Sequence, residues 1–449
     1  MTAEIVIMNK SAVAMAADSA VTIRDENARG KIFNTANKVF SLSKYAPVGI
    51  MVSGDNSIMG VPWETVIKQF REELSTTRCD TIDEYCEKFF SFVDMFPFEE
   101  EAKEQHMLQV ASFLFNDLEE YLDYWVDDRI SEKGAVTDIE ILDHLRSQIE
   151  KASLSFVNQS ADIGILNEDT LNQIHNQYRN ELNNLIDAFF EKYALSEENK
   201  NQLCHIAIHA ANVGPRASGI VIAGFGEKEY YPRCRHHEVA GVVSGKTIRF
   251  ENMTGHCDVR TDLTAAILPF AQSNEVATFM RGISPSLSEV IEEALRDVFG
   301  EEGDLPRKMS DALVSVLGLQ QVDHSDFKKI LGHICQGAYE GAIETFRKES
   351  RERHIDPILA TTAVLNKDEL ARMAETFVNL ESFRQQVVLD EETVGGPIDV
   401  AIITKGDGLI WIKRKHYFRP ELNHHFFKNY FRNYPYTTLQ GEQHEHINQ

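Results

Sequence analysis

The chain has 449 residues, of which 43% are hydrophobic and 26% charged, and it carries a net charge of −25. That length buries a large core and allows more than one domain, and the balance is that of an ordinary globular protein. The acidity argues against broad contact with nucleic acid or an anionic membrane, and no apolar run approaches the roughly 18 residues that a membrane-spanning helix needs.

Residues 2–54 read as two β-hairpins. Ile5-Val6-Ile7-Met8 and the run from Ala12 to Ala17 flank the turn Asn9-Lys10-Ser11, and later apolar runs flank Lys44-Tyr45-Ala46-Pro47. Glu4 and Asp18 interrupt this opening stretch, and no long apolar segment follows a basic start, so it does not read as a signal peptide. From Pro62 the period becomes helical, with Trp63, Val66, Ile67 and Phe70 on one face. Residues 80–212 read almost wholly as acidic amphipathic helix, opened by the capping pair Asp80-Thr81. Strand character returns at Ser218-Gly219-Ile220-Val221-Ile222-Ala223-Gly224 and continues through Tyr230-Tyr231 to about Phe250. A helix over 274–280, a helical block over 287–348 and a helix over 367–383 follow. Two closing strands, 398–403 and 409–412, are joined by the hairpin signal Lys405-Gly406-Asp407-Gly408. No internal repeat of 20–50 residues is present.

Without its helical blocks, the order of strands, helices, strands, helices and strands suits an α+β sandwich of two sheets covered by helices on both outer faces. The implied organisation is a core in pieces (1–76, 213–285 and 356–418). A helical subdomain is inserted at 77–212, a second helical insertion at 286–355, and a tail follows over 419–449.

Thr2 stands directly behind Met1. Once freed, an N-terminal threonine supplies a nucleophilic hydroxyl and, in its own α-amine, a base whose ordinary pKa of about 7.7–8.0 suits neutral pH. A small residue behind Met1 permits removal of that methionine. With these residues in place the chain resembles the proteasome β-subunit family of the N-terminal-nucleophile hydrolases, and its bacterial relative that partners an unfoldase ATPase. Val13-Ala14-Met15-Ala16-Ala17-Asp18-Ser19 fits the family's first hairpin, which ends in Ala-Asp-Ser. Asn37-Lys38-Val39 matches its catalytic-lysine context, and Ser53-Gly54 the glycine whose amide forms the oxyanion hole. The strand 218–224 followed by Tyr230-Tyr231 is similar to its central hairpin. Gln272-Ser273-Asn274 looks like the motif that places a serine near the threonine amine, and Gly395-Gly396-Pro397 resembles its C-terminal end.

The resemblance covers roughly half the chain. It implies the four-layer αββα sandwich of that superfamily, interrupted by a large inserted helical subdomain foreign to ordinary proteasome subunits. It also implies self-assembly and hydrolysis of peptide or amide bonds by Thr2. Lys38, held by Asp18, would put positive charge beside the hydroxyl, Gly54 would meet the oxyanion, and Ser273 with a carboxylate near 391 would orient the amine. Glu391 stands at about the family's offset, with Asp390 and Glu392 beside it. Ala20 stands where the family often has arginine. Two other readings keep the resemblance: a hydrolase of small amides, and a catalytically silent scaffold or assembly protein. No cofactor is implied; an ATPase partner is left open.

Singly, each residue has a plainer reading. Asp18 can cap a turn, Lys38 can guard an edge strand, Gly54 can serve a tight turn and Ser273 can be a helix N-cap. Cys234, His236 and His237, or Cys204, His205 and His209, match no zinc spacing well, and adjacent histidines on a strand point to opposite faces. Six scattered cysteines without a CxxC pair read as reduced thiols of a cytoplasmic protein. The aromatic tail around His424-His425-Phe426-Phe427 reads as packing onto the core or a neighbouring subunit.

Overall fold

The computed structural model describes residues 2–24, 30–163, 165–193, 195–213, 218–317, 325–387, 395–416, 418–425 and 428. It is mixed α+β with antiparallel sheets. The first strands are β1 (Ala3–Asn9), β2 (Val13–Ala17), β3 (Val21–Arg24), β4 (Gly30–Phe33), β5 (Val39–Ser41), β6 (Val48–Gly54), β7 (Ser57–Ile58) and β8 (Val61–Pro62). Helices α1 (Trp63–Leu74), α2 (Ile82–Asp94), α3 (Glu100–Lys133), α4 (Asp138–Ile163), α5 (Glu168–Phe190) and α6 (Glu197–Val213) follow. Strands return as β9 (Ser218–Gly224), β10 (Arg233–Val243), β11 (Lys246–Glu251), β12 (Cys257–Asp258) and β13 (Ala265–Ala271). Then come α7 (Asn274–Arg281), α8 (Pro285–Phe299), α9 (Asp304–Leu317), α10 (Ser325–Ser350), α11 (Asp356–Thr362) and α12 (Lys367–Val387), followed by β14 (Asp399–Thr404) and β15 (Gly408–Lys413).

One sheet runs β13-β1-β2-β14-β15 and the other β11-β10-β9-β6-β5, with β12 on β10. β1 lies between β13 and β2, so its whole length is buried. Alternation along it decides which side each residue serves. Val6 and Met8 join Met15, Ala401 and Ile403 against Val39, Met51, Val221 and Cys234 of the other sheet. Ala3, Ile5 and Ile7 turn the other way, onto Leu370, Ala374, Phe377 and Val378 of α12. The second sheet treats its two sides likewise, because Ile50, Val52, Ile220 and Ile222 pack with Trp63, Phe70, Phe89 and Phe90 of α1 and α2. A cluster of its own gathers Phe115, Leu145, Ile186, Leu203 and Ala207 from α3 to α6, and it reaches Ala240 and Ile248 of β10 and β11.

Gly49 marks how close the sheets come. A Cβ there would lie 2.7 Å from Met15 Sδ and 2.8 Å from Ile403 Cδ1. Only a residue without a side chain fits that approach.

Two expectations need correcting. Residues 2–54 form three hairpins rather than two, the extra one pairing Val21 with Phe33 and Arg24 with Gly30. Tyr230 and Tyr231 lie in the connection between β9 and β10, not in a strand. Pro232, which has no N–H to give to a ladder, follows them directly, and Glu229 N turns back to Gly226 O at 3.1 Å. Among the described residues no helix is long and apolar enough to cross a membrane.

Candidate active site at the start of the first strand

Asp18 follows β2 directly, is buried, and takes four donors. Its Oδ1 accepts from Lys38 Nζ at 2.5 Å and from Ala3 N at 3.2 Å, and its Oδ2 from Ala20 N at 3.3 Å and Gly395 N at 3.0 Å. The glycine pair before β14 is thereby docked on the same carboxylate. Lys38 is also buried, and Val52 N donates to its carbonyl at 2.9 Å, which ties the lysine to β6. A buried charge is tolerated when it is paired and hydrogen-bonded, as this one is. Ala20, which stands where proteasome β-subunits often have arginine, is wholly buried.

Thr2 sits at the mouth of β1, 5% exposed, and Gln272 N donates to its carbonyl at 2.9 Å. Its Oγ1 is buried without a hydrogen-bond partner among the described residues, so Lys38 makes no bond to it here. Both Lys38 and the Thr2 side chain act instead on Glu4, a residue that belongs to none of the motifs above. Glu4 follows Thr2 at the strand's period of two, on the same side of β1. It is 2% exposed, and neither carboxyl oxygen has a partner among the described residues. Burial pushes the Glu4 pKa from 4.5 up to about 8; the Lys38 charge pulls it down, Asp18 pushes it up, and the Thr2 side chain favours the ionised form. The Thr2 hydroxyl and the Glu4 carboxyl therefore influence one another without a bond of full hydrogen-bond geometry.

Gly54 ends β6 at a φ of 71°, a left-handed conformation that glycine adopts without strain. It lines a cavity of about 440 Å³ with Ser53, Gly219, His236, Glu238, Asn252 and Ala271, among others. Ala271 pairs with Ala3, so the cavity borders the start of β1. Gly219 keeps it open: a Cβ there would fall 2.2 Å from Ser53 Oγ and 3.0 Å from His236 Nε2. Ser273 occupies the N-cap position of α7, yet its side chain makes no capping bond. Glu381 of α12, 3% exposed, does that work, its Oε1 accepting from Glu275 N at 2.9 Å and Val276 N at 3.0 Å. No bond joins Ser273 to Thr2 among the described residues. Glu391, with Asp390 and Glu392, lies outside the described residues.

No group of histidine, cysteine and acidic residues among the described residues has the arrangement of a metal site. His236 meets Phe270 edge-on at 5.0 Å, while His237 turns the other way onto Phe90 at 4.9 Å. Burial holds His236 near 4 and His237 near 3, so both rings are neutral at physiological pH. The six cysteines are free and buried.

The chain matches no protein-family model and no curated protein sequence. Chemically, the site offers a hydroxyl, a buried ammonium held by a carboxylate, a second carboxyl that keeps its proton near neutrality, and a glycine turn on a polar cavity.

Proposed function

We propose that this protein is a threonine hydrolase of the N-terminal-nucleophile type, cleaving peptide or amide bonds after loss of Met1. The two sheets with helices on their outer sides then form that superfamily's four-layer sandwich; within the 77–212 insertion, α2 packs on the second sheet, and α3 to α6 make up most of the rest. The observation that carries the reading is the buried Lys38–Asp18 pair, because Asp18 Oδ1 also accepts the Ala3 N–H and so sets the ammonium beside the residue after Thr2.

In this reading Thr2 Oγ1 attacks the substrate carbonyl and Lys38 stabilises the developing alkoxide. Gly54 N–H meets the oxyanion, a contact worth about 2.7–4 kcal/mol in other enzymes. The cavity beside Gly54 and Ala271 receives the substrate chain. Water then releases the acyl group. The silent-scaffold reading has one observation in its favour, the missing bond between Lys38 and Thr2 Oγ1.

Turnover of a panel of fluorogenic peptide amides separates the two. Activity that falls by about 10³-fold or more in Thr2→Ala, with Met1 absent by intact mass, supports the hydrolase. A panel on which wild type and Thr2→Ala are equally inert supports the scaffold.

A further inference from the structure

We infer that Glu4 is the proton shuttle of this site, taking the Thr2 hydroxyl proton as Oγ1 attacks; this rests on the threonine-hydrolase reading. The inference stands first on placement. Glu4 shares the inter-sheet side of β1 with Thr2, Val6 and Met8, two positions from the nucleophile. An acidic side chain buried in a central strand with no partner for either oxygen among the described residues is costly unless something uses it. Among the described residues, both of its oxygens lack partners, as does Thr2 Oγ1. A buried donor and a buried acceptor on one side of one strand, with the Thr2 side chain acting on the Glu4 carboxyl, are the pair a proton transfer needs.

The charged groups acting on Glu4 come from two directions: Lys38, just before β5 of the facing sheet, and Asp18, at the end of neighbouring β2. On its other flank, in β13, Glu4 is paired with uncharged Phe270, behind which His236 stays neutral. Lys38 lowers and Asp18 raises its pKa, but burial is the largest influence, so Glu4 titrates near the operating pH, where a general base is most effective.

The steps balance. Thr2 Oγ1 bonds to the carbonyl carbon while its proton passes to a Glu4 oxygen. The carbon–nitrogen bond breaks as Glu4 returns that proton to the leaving amine. Water attacks the ester with its proton going to Glu4; the carbon–Oγ1 bond breaks, and the proton returns to Thr2.

The α-amine of Thr2 is the rival base, and its ordinary pKa is close to that of Glu4. The test therefore compares variants: the rate at which a peptide β-lactone acylates Thr2, followed by mass spectrometry from about pH 5 to about pH 10. Wild type should accelerate through about pH 8. Glu4→Gln should be slower by about 10²-fold or more and lose that rise, with Glu4→Asp between them. Should Glu4→Gln acylate with the wild-type rate and profile, the amine is the base and the inference is overturned. If wild type is not acylated on Thr2 at all, the hydrolase reading fails, and the inference fails with it. If Glu4→Gln does not fold by circular dichroism, carboxyl NMR of isotope-labelled Thr2→Ala decides, with the Glu4 signal assigned by its loss in Glu4→Asp. Titration near 8 supports the shuttle, and titration in the ordinary carboxylate range overturns it.

Discussion

Three side chains would govern the proposed chemistry, and each answers differently to substitution. Asp18 and Lys38 are buried on both sides of their contact, so removing either strands the other. Lys38→Met should cost about 3–5 kcal/mol in denaturant unfolding and abolish any Thr2-dependent turnover. Glu4 acts in the opposite sense. Its folded pKa is raised, so between about 4.5 and about 8 the native state holds a proton that the unfolded state has lost. Stability then falls as pH rises through that window, by up to about 1.4 kcal/mol per pH unit. Glu4→Gln should unfold at higher denaturant than wild type at about pH 8.5 and match it near pH 4.5; equal midpoints at both would refute the burial of an ionisable Glu4. The pairing of Asp18 with Lys38 was legible, because motif order ties those residues to Thr2. Glu4 was not. One carboxyl in Ala3-Glu4-Ile5-Val6 belongs to no motif, and it gains meaning only when β1 proves central and its parity faces the other sheet.

Elements carry the site by holding strand ends in place. Helix α7 begins beside Thr2, since Gln272 N bonds Thr2 O, and α12 holds α7 through Glu381. Burial raises the Glu381 pKa, while the two N–H donors lower it. Glu381→Ala should destabilise by about 1–2 kcal/mol and raise hydrogen exchange in α7 before other elements; unchanged exchange there would contradict the capping role. Hairpin β14–β15 could be read from its Lys405-Gly406-Asp407-Gly408 turn, which the structure closes with Thr404 opposite Gly408. The β3–β4 hairpin could not, because its two short segments lie within what looked like one connection. Tyr230 and Tyr231 misled in the other direction: strand-favouring residues were stopped by Pro232.

At the scale of the whole molecule, the sheet order depends on contacts that sequence pattern does not encode. Strand β13 pairs with β1 from Ala3↔Ala271 to Asn9↔Ala265, and β14 with β2, across most of the chain. Periodicity identifies strands but not partners so distant. Helix α8 has no buried residue and exposes Leu287, Val290 and Val298, and α10 exposes Ile330 and Ile334. Exposed apolar residues of this kind suit the self-assembly that the resemblance to proteasome β-subunits implies. Light scattering at micromolar protein should give a mass above the 51.0 kDa of one chain, reduced in Val290→Glu with Ile334→Glu. A wild-type monomer would contradict that implied self-assembly.

The central claim is that the second residue becomes a free nucleophile beside a buried lysine. Treatment with a peptide epoxyketone, followed by peptide-level mass spectrometry, tests it most directly. The expected result is loss of Met1 and one adduct joined to both the hydroxyl and the amine of Thr2, absent in Thr2→Ala and Lys38→Met. An intact Met1, or a Thr2 left unmodified in folded wild-type protein, would contradict it.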